Sequence, residues 1–356
     1  MGYQHGGMHY QYPEAIDFSA NLNPFGMPEA VKRAAYQGIA DAIYYPDTKC
    51  ELLRQKIAEY ENREAGISDI NYKNILLGNG AADLIYQICH AIKPLRALLA
   101  VPTFQEYEQA LVSEQCEVNY YELKEADNYQ VNESFLNCLD NNMDVIFLCN
   151  PNNPTGQLIK KDILLRILEY CEKNQILLVM DECFMDFCID RLSLIDKIAR
   201  YQQLFIIKAF TKLYAMPGLR LGYGVSSNRK LLQTITENSQ PWNISTPAQY
   251  AGIAALSQET YVKKSIIGIA SERMYLLQEI RSNQLVEHVV PPTANYIFFK
   301  AEERLGKALL KKGIILRDCS NYRNLNKGHY RMAIRLHEEN MLLIKAWKEC
   351  VQEWQK

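Results

Sequence analysis

The sequence lacks any long apolar run, and this absence excludes one class of protein. No stretch of the 356 residues approaches the ~18 uncharged apolar residues that a membrane-spanning helix requires. Residues 1–10 contain glycine, histidine and tyrosine but no basic segment followed by an apolar one, so we expect no secretory signal. Internal repeats and low-complexity linkers are also lacking.

An excess of charge of either sign is lacking as well. The 39 lysines and arginines nearly balance the 41 aspartates and glutamates, which leaves a formal net charge of −2. A chain of this balance has no overall electrostatic attraction for nucleic acid or for an anionic membrane. We therefore expect a small-molecule substrate, with neither a nucleic-acid nor a membrane partner.

The ten cysteines lack the spacing of a metal site. The closest pair, Cys183 and Cys188, forms no CxxC motif, and no neighbouring histidines complete a zinc site. We therefore expect no bound metal. We expect the cysteines to be reduced core residues, as in a cytoplasmic protein.

Short apolar segments alternate with amphipathic ones through the middle of the chain. Ala81–Ile92 predicts a helix, because its apolar residues fall on one face. The predicted strands are Ile75–Leu77, Ala97–Val101, Val118–Leu123, Val145–Cys149, Ile176–Met180, Leu204–Ile207 and Leu219–Val225. This alternation predicts a mostly parallel sheet covered by helices on both faces.

The length predicts more than one domain, because a single core stops growing at ~250–300 residues. The last hundred residues change character: a long helical stretch from about Pro247 to Gln284 precedes short strands near Asn295–Phe299 and Tyr330–Ile334. We expect a large domain over residues 45–248. A smaller α+β domain would combine residues 249–356 with part of an N-terminal arm, residues 1–44.

Polar residues follow several predicted strands, at the sheet edge where ligands of open α/β proteins bind. Gly78–Asp83 is a glycine turn that opens a helix, which suits either phosphate binding or a plain tight turn. In Asn150–Gly156, two prolines fix the backbone while the asparagine amides stay available to a ligand. Asp181 and Glu182 end a strand that should be buried, so a cationic partner is expected.

Two lysines follow the strand Leu204–Ile207. Lys208 and Lys212 could each be a solvated surface charge. Near an apolar strand end and a second cation, a lysine amine loses its proton more easily, which imine formation with an aldehyde requires. On this reasoning both lysines remain candidates for a nucleophile.

Together these residues resemble the fold-type I pyridoxal-phosphate enzymes of the class I/II aminotransferase family. The most specific parts are Asn150–Gly156, Asp181-Glu182, and Thr211-Lys212 followed by Arg220 within Pro-Gly-Leu-Arg-Leu-Gly-Tyr. The resemblance covers nearly the whole chain. It implies an α/β fold with a mostly parallel mixed sheet in the large domain, and pyridoxal 5′-phosphate as cofactor.

The resemblance also implies roles for the matching residues. Lys212, not Lys208, has the family's spacing to Arg220 and would hold the cofactor as a Schiff base, then act as acid and base. Asp181, the second catalytic residue, would keep the pyridine nitrogen protonated. Further cofactor contacts are implied for Asn153 with the ring oxygen, Phe104 with the ring face, and Ala81, Ala82, Thr211 and Arg220 with the phosphate. Tyr45 resembles the tyrosine that reaches the neighbouring subunit's phosphate, which implies a homodimer with shared active sites.

Two positions depart from the family pattern. Ala209 stands three residues before the lysine, where a serine or threonine often contributes a phosphate hydroxyl. Phe184 stands where many aminotransferases have a tyrosine that bonds the ring oxygen. Straightforward transamination is therefore the less favoured activity.

Within the family, three segments resemble the threonine-phosphate decarboxylases of cobalamin biosynthesis. They are His5-Gly6-Gly7, Phe18–Gly26, and Leu316–Tyr322 followed by Tyr330–Arg335. The similar histidinol-phosphate aminotransferases typically have a plain glycine-rich segment in place of residues 317–322, and glycine in place of Arg335. The resemblance implies decarboxylation of L-threonine O-3-phosphate to (R)-1-aminopropan-2-ol O-phosphate.

A phosphorylated amino acid has two anionic ends, and guanidinium groups suit both. The resemblance implies Arg331 for the carboxylate, and Arg317 and Arg335 with His5 for the phosphate; Asn23 is a further substrate candidate. Three alternatives stay open: histidinol-phosphate transamination, phosphoserine decarboxylation, and a non-catalytic member of the family that binds cofactor or a partner protein. The second is a close competitor because a missing methyl is worth only ~1–3 kcal/mol.

Overall fold

The computed structural model describes residues 6–354, so the predicted ligand His5 lies outside the described residues. The strands are β1 (Ile16–Asp17), β2 (Ile75–Gly78), β3 (Arg96–Val101), β4 (Glu117–Glu122), β5 (Val145–Cys149), β6 (Leu177–Asp181), β7 (Leu204–Ala209), β8 (Gly222–Val225), β9 (Val286–Val289), β10 (Tyr296–Ala301), β11 (Ile314–Ile315), β12 (Arg317–Asp318) and β13 (His329–Ala333). The α-helices are α1 (Glu29–Ala40), α2 (Glu51–Ala65), α3 (Ala81–Ile92), α4 (Glu106–Ser113), α5 (Lys161–Asn174), α6 (Phe210–Leu213), α7 (Arg229–Glu237), α8 (Thr246–Ala255), α9 (Glu259–Arg281), α10 (Leu305–Lys311) and α11 (His337–Trp354).

A seven-stranded sheet lies at the centre of the larger part of the chain. Its order is β2-β8-β7-β6-β5-β3-β4, and β8 runs antiparallel to both of its neighbours while the other pairs are parallel. Every residue of β5, β6 and β7 is buried, as expected for central strands covered on both faces. The predicted mostly parallel mixed sheet is confirmed.

Two predicted ranges are reproduced, most of the others differ by one or two residues at an end, and two predictions differ more. Helix α3 and strand β5 match their predicted ranges. Strand β8 begins at Gly222 rather than Leu219, because Pro217 opens a short 3-10 turn and Arg220 adopts a left-handed conformation with φ 54°. The single helical stretch predicted from Pro247 is two helices, since α8 packs along α1 whereas α9 packs against α11.

The remaining strands form two smaller sheets. An antiparallel sheet has the order β12-β13-β10-β9, and the short strand β1 pairs in parallel with β11. Ile16 and Asp17 are thereby attached to the C-terminal part of the chain. The divisions at residues 44/45 and 248/249 stay predictions.

The cysteines occupy the positions expected of reduced core residues, with two exceptions. All ten are unpaired; eight are buried, Cys183 is half-buried and Cys138 is exposed. Among residues 6–354, no group of three or more histidine, cysteine, aspartate or glutamate side chains is arranged to hold a metal ion. No helix in this range is both long and apolar enough to cross a membrane.

Candidate active site

A cavity opens where the carboxyl ends of β5, β6 and β7 meet. Residues near the seven-stranded sheet line most of it. The small antiparallel sheet contributes Arg317 from β12, Arg331 from β13, and Tyr322 from the loop between these two strands. The structure brings together ten of the predicted site residues on its wall: Ala81, Ala82, Phe104, Asn153, Asp181, Thr211, Lys212, Arg220, Arg317 and Arg331. The cavity therefore gathers an amine, a carboxylate, an amide, an aromatic ring and three guanidinium groups.

Lys212 presents its amine to this cavity from the short helix α6, directly after β7. Burial, together with the positive charges of Arg331 and Arg220, lowers the pKa of Lys212 to about 8. A neutral amine is the nucleophilic form. The expectation that a buried setting and a second cation would favour deprotonation is confirmed for Lys212.

Lys208, the competing lysine, lies in a different environment. Its Nζ is 3.0 Å from a Glu61 carboxylate oxygen and 3.5 Å from Asp186 Oδ1, and its side chain is buried. Burial alone would lower the pKa of Lys208, but the carboxylates of Asp186, Glu61 and Glu182 outweigh it and raise the pKa. Lys208 is therefore held as an ammonium ion in a structural cluster, so it is a poor nucleophile.

Asp181 ends β6 with its carboxylate facing the cavity. It accepts hydrogen bonds from the Tyr107 hydroxyl at 2.5 Å and from the Cys183 backbone N–H at 2.9 Å. Burial and the Asp181 charge raise the pKa of Tyr107, which stays protonated and donates. Among the residues described, no lysine or arginine nitrogen lies within 4.0 Å of Asp181. Of the two carboxylates expected to need a cation, Glu182 has Lys208 nearby, whereas Asp181 has no close cationic partner among the described residues and can accept an N–H from a ligand.

A cradle for an anion forms at the N-terminus of α3. Ala81 and Ala82 begin this helix, whose first N–H groups have no partner within the helix, and Arg220 lies beside them. Gly80 has φ 87°, and a Cβ there would collide with the Arg220 guanidinium. A Cβ on Gly222 would come within 2.6 Å of the Ala81 nitrogen. Both glycines keep the cradle open by lacking a side chain.

Asn153 lies between the floor of the cavity and the small antiparallel sheet. Its Oδ1 accepts hydrogen bonds from Arg331 Nη1 at 2.5 Å and from the Tyr322 hydroxyl at 3.4 Å. Because the oxygen is engaged, the amide NH₂ is the group that faces a ligand. Phe104 lies on the same wall and packs edge-on against Tyr107, with ring centroids 5.7 Å apart.

Two buried arginines face the cavity from β12 and β13. Arg331, only 6% exposed, donates from Nη2 to the Ser19 carbonyl at 2.8 Å, and its Nε has no partner among residues 6–354. Arg317, 5% exposed, donates to Asn321 Oδ1 at 2.9 Å and lies over the Tyr322 ring. No carboxylate of the described chain lies within 4.0 Å of Arg331. A buried cation is costly without a counterion, so an anionic ligand suits this position.

Two of the predicted substrate ligands lie outside the cavity. Asn23 donates to the Leu213 carbonyl at 2.8 Å and to Ser265 Oγ at 2.7 Å, while its own N–H donates to the Lys212 carbonyl. It therefore supports the backbone that carries Lys212. Because β13 ends at Ala333, Arg335 turns away and donates instead to the Asp17 carbonyl and to Glu339.

Tyr45 also lies away from the cavity of its own chain. It is 82% exposed and packs against Trp242, with ring centroids 4.8 Å apart. A contact with a neighbouring subunit's phosphate stays a prediction.

The structure adds residues that sequence reasoning missed. Asn21 lines the cavity and is 2% exposed, yet neither its Nδ2 nor its Oδ1 has a hydrogen-bond partner among the described residues. Asn21 lies in Phe18–Gly26, one of the segments that carry the family resemblance, but no strand or helix pattern there indicates which asparagine faces inward. Tyr107 could have been found, since it lies three residues after Phe104, in the first turn of α4.

Comparisons with known proteins agree with this geometry. The model of the family described as aminotransferase class I and II matches residues 13–344. A threonine-phosphate decarboxylase from Salmonella typhimurium is 34% identical over 94% of this chain and 90% of its own length.

Solved structures of two related enzymes are also similar. A histidinol-phosphate aminotransferase from Clostridium acetobutylicum has a TM-score of 0.87 at 31% identity, covering 94% of this chain and 99% of its own. An L-threonine-O-3-phosphate decarboxylase from Porphyromonas gingivalis has a TM-score of 0.83 at 25% identity, with the same coverage. The chain therefore belongs to the aminotransferase class I and II family of pyridoxal-phosphate-dependent enzymes.

Proposed function

We propose that the chain decarboxylates L-threonine O-3-phosphate to (R)-1-aminopropan-2-ol O-phosphate. The observation that carries the proposal is the pair of buried arginines, Arg317 and Arg331, which face the same cavity as Lys212. A substrate with two anionic ends and an amine matches this arrangement. The name of the Salmonella typhimurium relative supports the same reaction.

The residues of the cavity fit pyridoxal phosphate. Gly80 leaves the space in which Arg220 and the N-terminus of α3 can hold a phosphate. The protein donors to the Asp181 carboxylate, the Tyr107 hydroxyl and the Cys183 N–H, are both neutral, so the carboxylate can also accept from a protonated pyridine nitrogen. Asn153 would donate to the ring oxygen, Phe104 would lie on the ring face, and Thr211 would add a hydroxyl to the phosphate site. When bound, the cofactor supplies a ring that accepts the electron pair released at the substrate Cα.

The protein's own residues would then decide which bond breaks and where the proton goes. Arg331 would bind the carboxylate and fix its direction relative to the ring, while Arg317 and Asn21 would bind the phosphate end. Lys212, with its pKa of about 8, can give a proton to Cα as its ammonium form after carbon dioxide leaves. Phe184 lies at the cavity in place of a tyrosine, so the ring oxygen is left to Asn153.

The main alternative is transamination of histidinol phosphate with 2-oxoglutarate, which the Clostridium acetobutylicum neighbour supports. Purified holoenzyme is incubated with threonine phosphate and assayed for carbon dioxide. In parallel, it is incubated with histidinol phosphate plus 2-oxoglutarate and assayed for glutamate. We expect carbon dioxide. Glutamate without carbon dioxide contradicts the proposal. If phosphoserine, assayed in the same way, gives a higher kcat/KM than threonine phosphate, then phosphoserine is the substrate.

We expect Arg317→Met to lower kcat/KM for threonine phosphate by about 10- to 100-fold, because a charge-assisted hydrogen bond is worth ~1.5–3 kcal/mol. Steady-state kinetics measures the loss. The matched control is Arg166→Met, which we expect to change kcat/KM less than about threefold, since Arg166 pairs with Glu133 on the surface and does not line the cavity. An equal loss in the control would contradict a specific role for Arg317.

We also propose a homodimer with shared active sites. Exposed apolar side chains close together in sequence support it: Tyr44 is 72% exposed, Ile43 80% and Ile39 58%, and the exposed Tyr45 packs against Trp242. Exposed apolar patches commonly mark protein interfaces.

The unpaired cysteines support a further prediction, a cytoplasmic location.

Light scattering should give twice the chain mass of 41.1 kDa. Tyr45→Phe should weaken pyridoxal-phosphate binding by about tenfold through the loss of one charge-assisted hydrogen bond. Tyr44→Phe is the control and should bind the cofactor normally. A monomer, or equal effects of the two substitutions, contradicts the shared site.

A further inference from the structure

We propose that Asp17 and Ser19 are positioning residues that hold residues 6–8 against the cavity and thereby set the KM for the substrate. The proposal rests on the function proposed above. Neither residue is a predicted ligand of cofactor or substrate, and only Ser19 lines the cavity.

Asp17 and Ser19 together bind the N-terminal segment by its backbone. The Asp17 carboxylate accepts from the Met8 N–H at 2.9 Å with one oxygen, and from the Ser19 N–H and hydroxyl at 2.7 and 2.6 Å with the other. The Ser19 hydroxyl in turn accepts from the Gly7 N–H at 2.9 Å. Two consecutive amides of the segment are thus fixed by two side chains.

Ser19 also contacts the substrate site. Its carbonyl accepts from Arg331 Nη2 at 2.8 Å, and its side chain is fully buried. The same residue therefore fixes Arg331 through its carbonyl and the segment through its hydroxyl. Gly6 lines the cavity, and a Cβ added there would overlap the Ser19 carbonyl oxygen. The segment thus lies directly on the residue that supports Arg331.

The anchor itself is rigid. Asp17 belongs to β1, which pairs with β11, and its carbonyl accepts from Arg335 Nη1 at 3.1 Å. Arg335 thereby helps to hold Asp17 in place. A segment fixed in this way covers bound substrate equally in the ground state and the transition state. Its loss should therefore raise KM and leave kcat nearly unchanged.

The test compares Ser19→Ala in the full chain and in a chain lacking residues 1–8. In the full holoenzyme we expect KM for threonine phosphate to rise about tenfold, the value of one net hydrogen bond, with kcat within about twofold. In the shortened chain the same substitution should change KM less than about twofold, because coupled residues are not additive. An undiminished effect in the shortened chain, or an unchanged KM in the full chain, overturns the proposal.

Amide hydrogen exchange of residues 6–12 gives a readout that needs no substrate. Ser19→Ala and Asp17→Ala should both speed exchange at Gly7 and Met8, and Gly6→Ala should do the same because its Cβ would overlap the Ser19 carbonyl oxygen. The control Asp140→Ala removes a similar side-chain turn, in which Asp140 accepts from the Asn142 N–H, away from the cavity. Unchanged exchange in all three variants contradicts the proposal that Asp17 and Ser19 hold residues 6–8, whatever the substrate proves to be.

Discussion

Replacement of Lys212 by alanine should abolish turnover, with a loss of about 10⁴-fold or more in kcat, because one residue supplies both the covalent link to the cofactor and the proton transfer at Cα. Steady-state assays of carbon dioxide release measure this loss. The structure gives the reason that the competing lysine cannot substitute. Lys208, the nearest lysine in sequence, is held by Glu61 and Asp186 and stays charged.

Borohydride reduction of the enzyme with pyridoxal phosphate, followed by peptide mass analysis, identifies the modified lysine. The wild-type adduct should lie on Lys212 alone, and labelling of the apoenzyme should rise with pH through about 8, as the pKa of Lys212 requires. The Lys212→Ala variant should carry no adduct. An adduct on Lys208 in either protein contradicts the assignment.

Glu61→Ala should lower the free energy of unfolding by about 3–5 kcal/mol, the range for breaking a buried ion pair on one side. Glu61 is 1% exposed; it accepts from Lys208 Nζ at 3.0 and 3.2 Å and also from the Tyr223 hydroxyl. Without it, Lys208 retains Asp186 at 3.5 Å and the more remote charge of Glu182, and the Tyr223 hydroxyl loses its acceptor. Urea unfolding followed by circular dichroism measures the change.

The matched control lies in the same helix. Glu59→Ala removes an exposed pair with Lys56 and should cost less than about 1 kcal/mol. The double variant Glu61→Ala/Lys208→Met should recover part of the loss, because the stranded charge is gone. A Glu61→Ala protein as stable as the Glu59→Ala protein would show that the buried pair is not structurally important.

The sequence predicted the framework of the site because strand ends are local features. Val145–Cys149, and the placement of Asp181 and of both Lys208 and Lys212 at strand ends, follow from short apolar runs and the polar residues after them, and parallel strands bring such ends together. The choice of Lys212 came from the family resemblance. The glycines before α3 indicated either a phosphate site or a plain tight turn at Ala81, and the phosphate role stays a prediction from the family resemblance. The structure then separated Lys208 from Lys212, which lie four residues apart with opposite pKa shifts.

The residues that were missed or misplaced depend on long-range packing. Arg331 and Arg335 would share a face if β13 continued, but the strand ends at Ala333 and only Arg331 reaches the cavity. Asn21 and Asn23 are two residues apart and would share a face in an extended segment. Asn23 instead supports α6, through a contact with a residue more than 180 positions away in sequence. Neither outcome has a signal in local periodicity.

The hydrogen bond between Arg331 and Asn153 has a consequence for energetics. Arg331 would bind the substrate carboxylate and Asn153 the cofactor ring oxygen, and the 2.5 Å contact makes the two groups one thermodynamic unit. An anion that draws Arg331 away alters the hydrogen bonding of Asn153, and a change on the cofactor ring alters the affinity of Arg331 for the anion. Linkage requires the two effects to be equal in free energy. Carboxylate ligands should therefore shift the cofactor's equilibria even when no bond is broken.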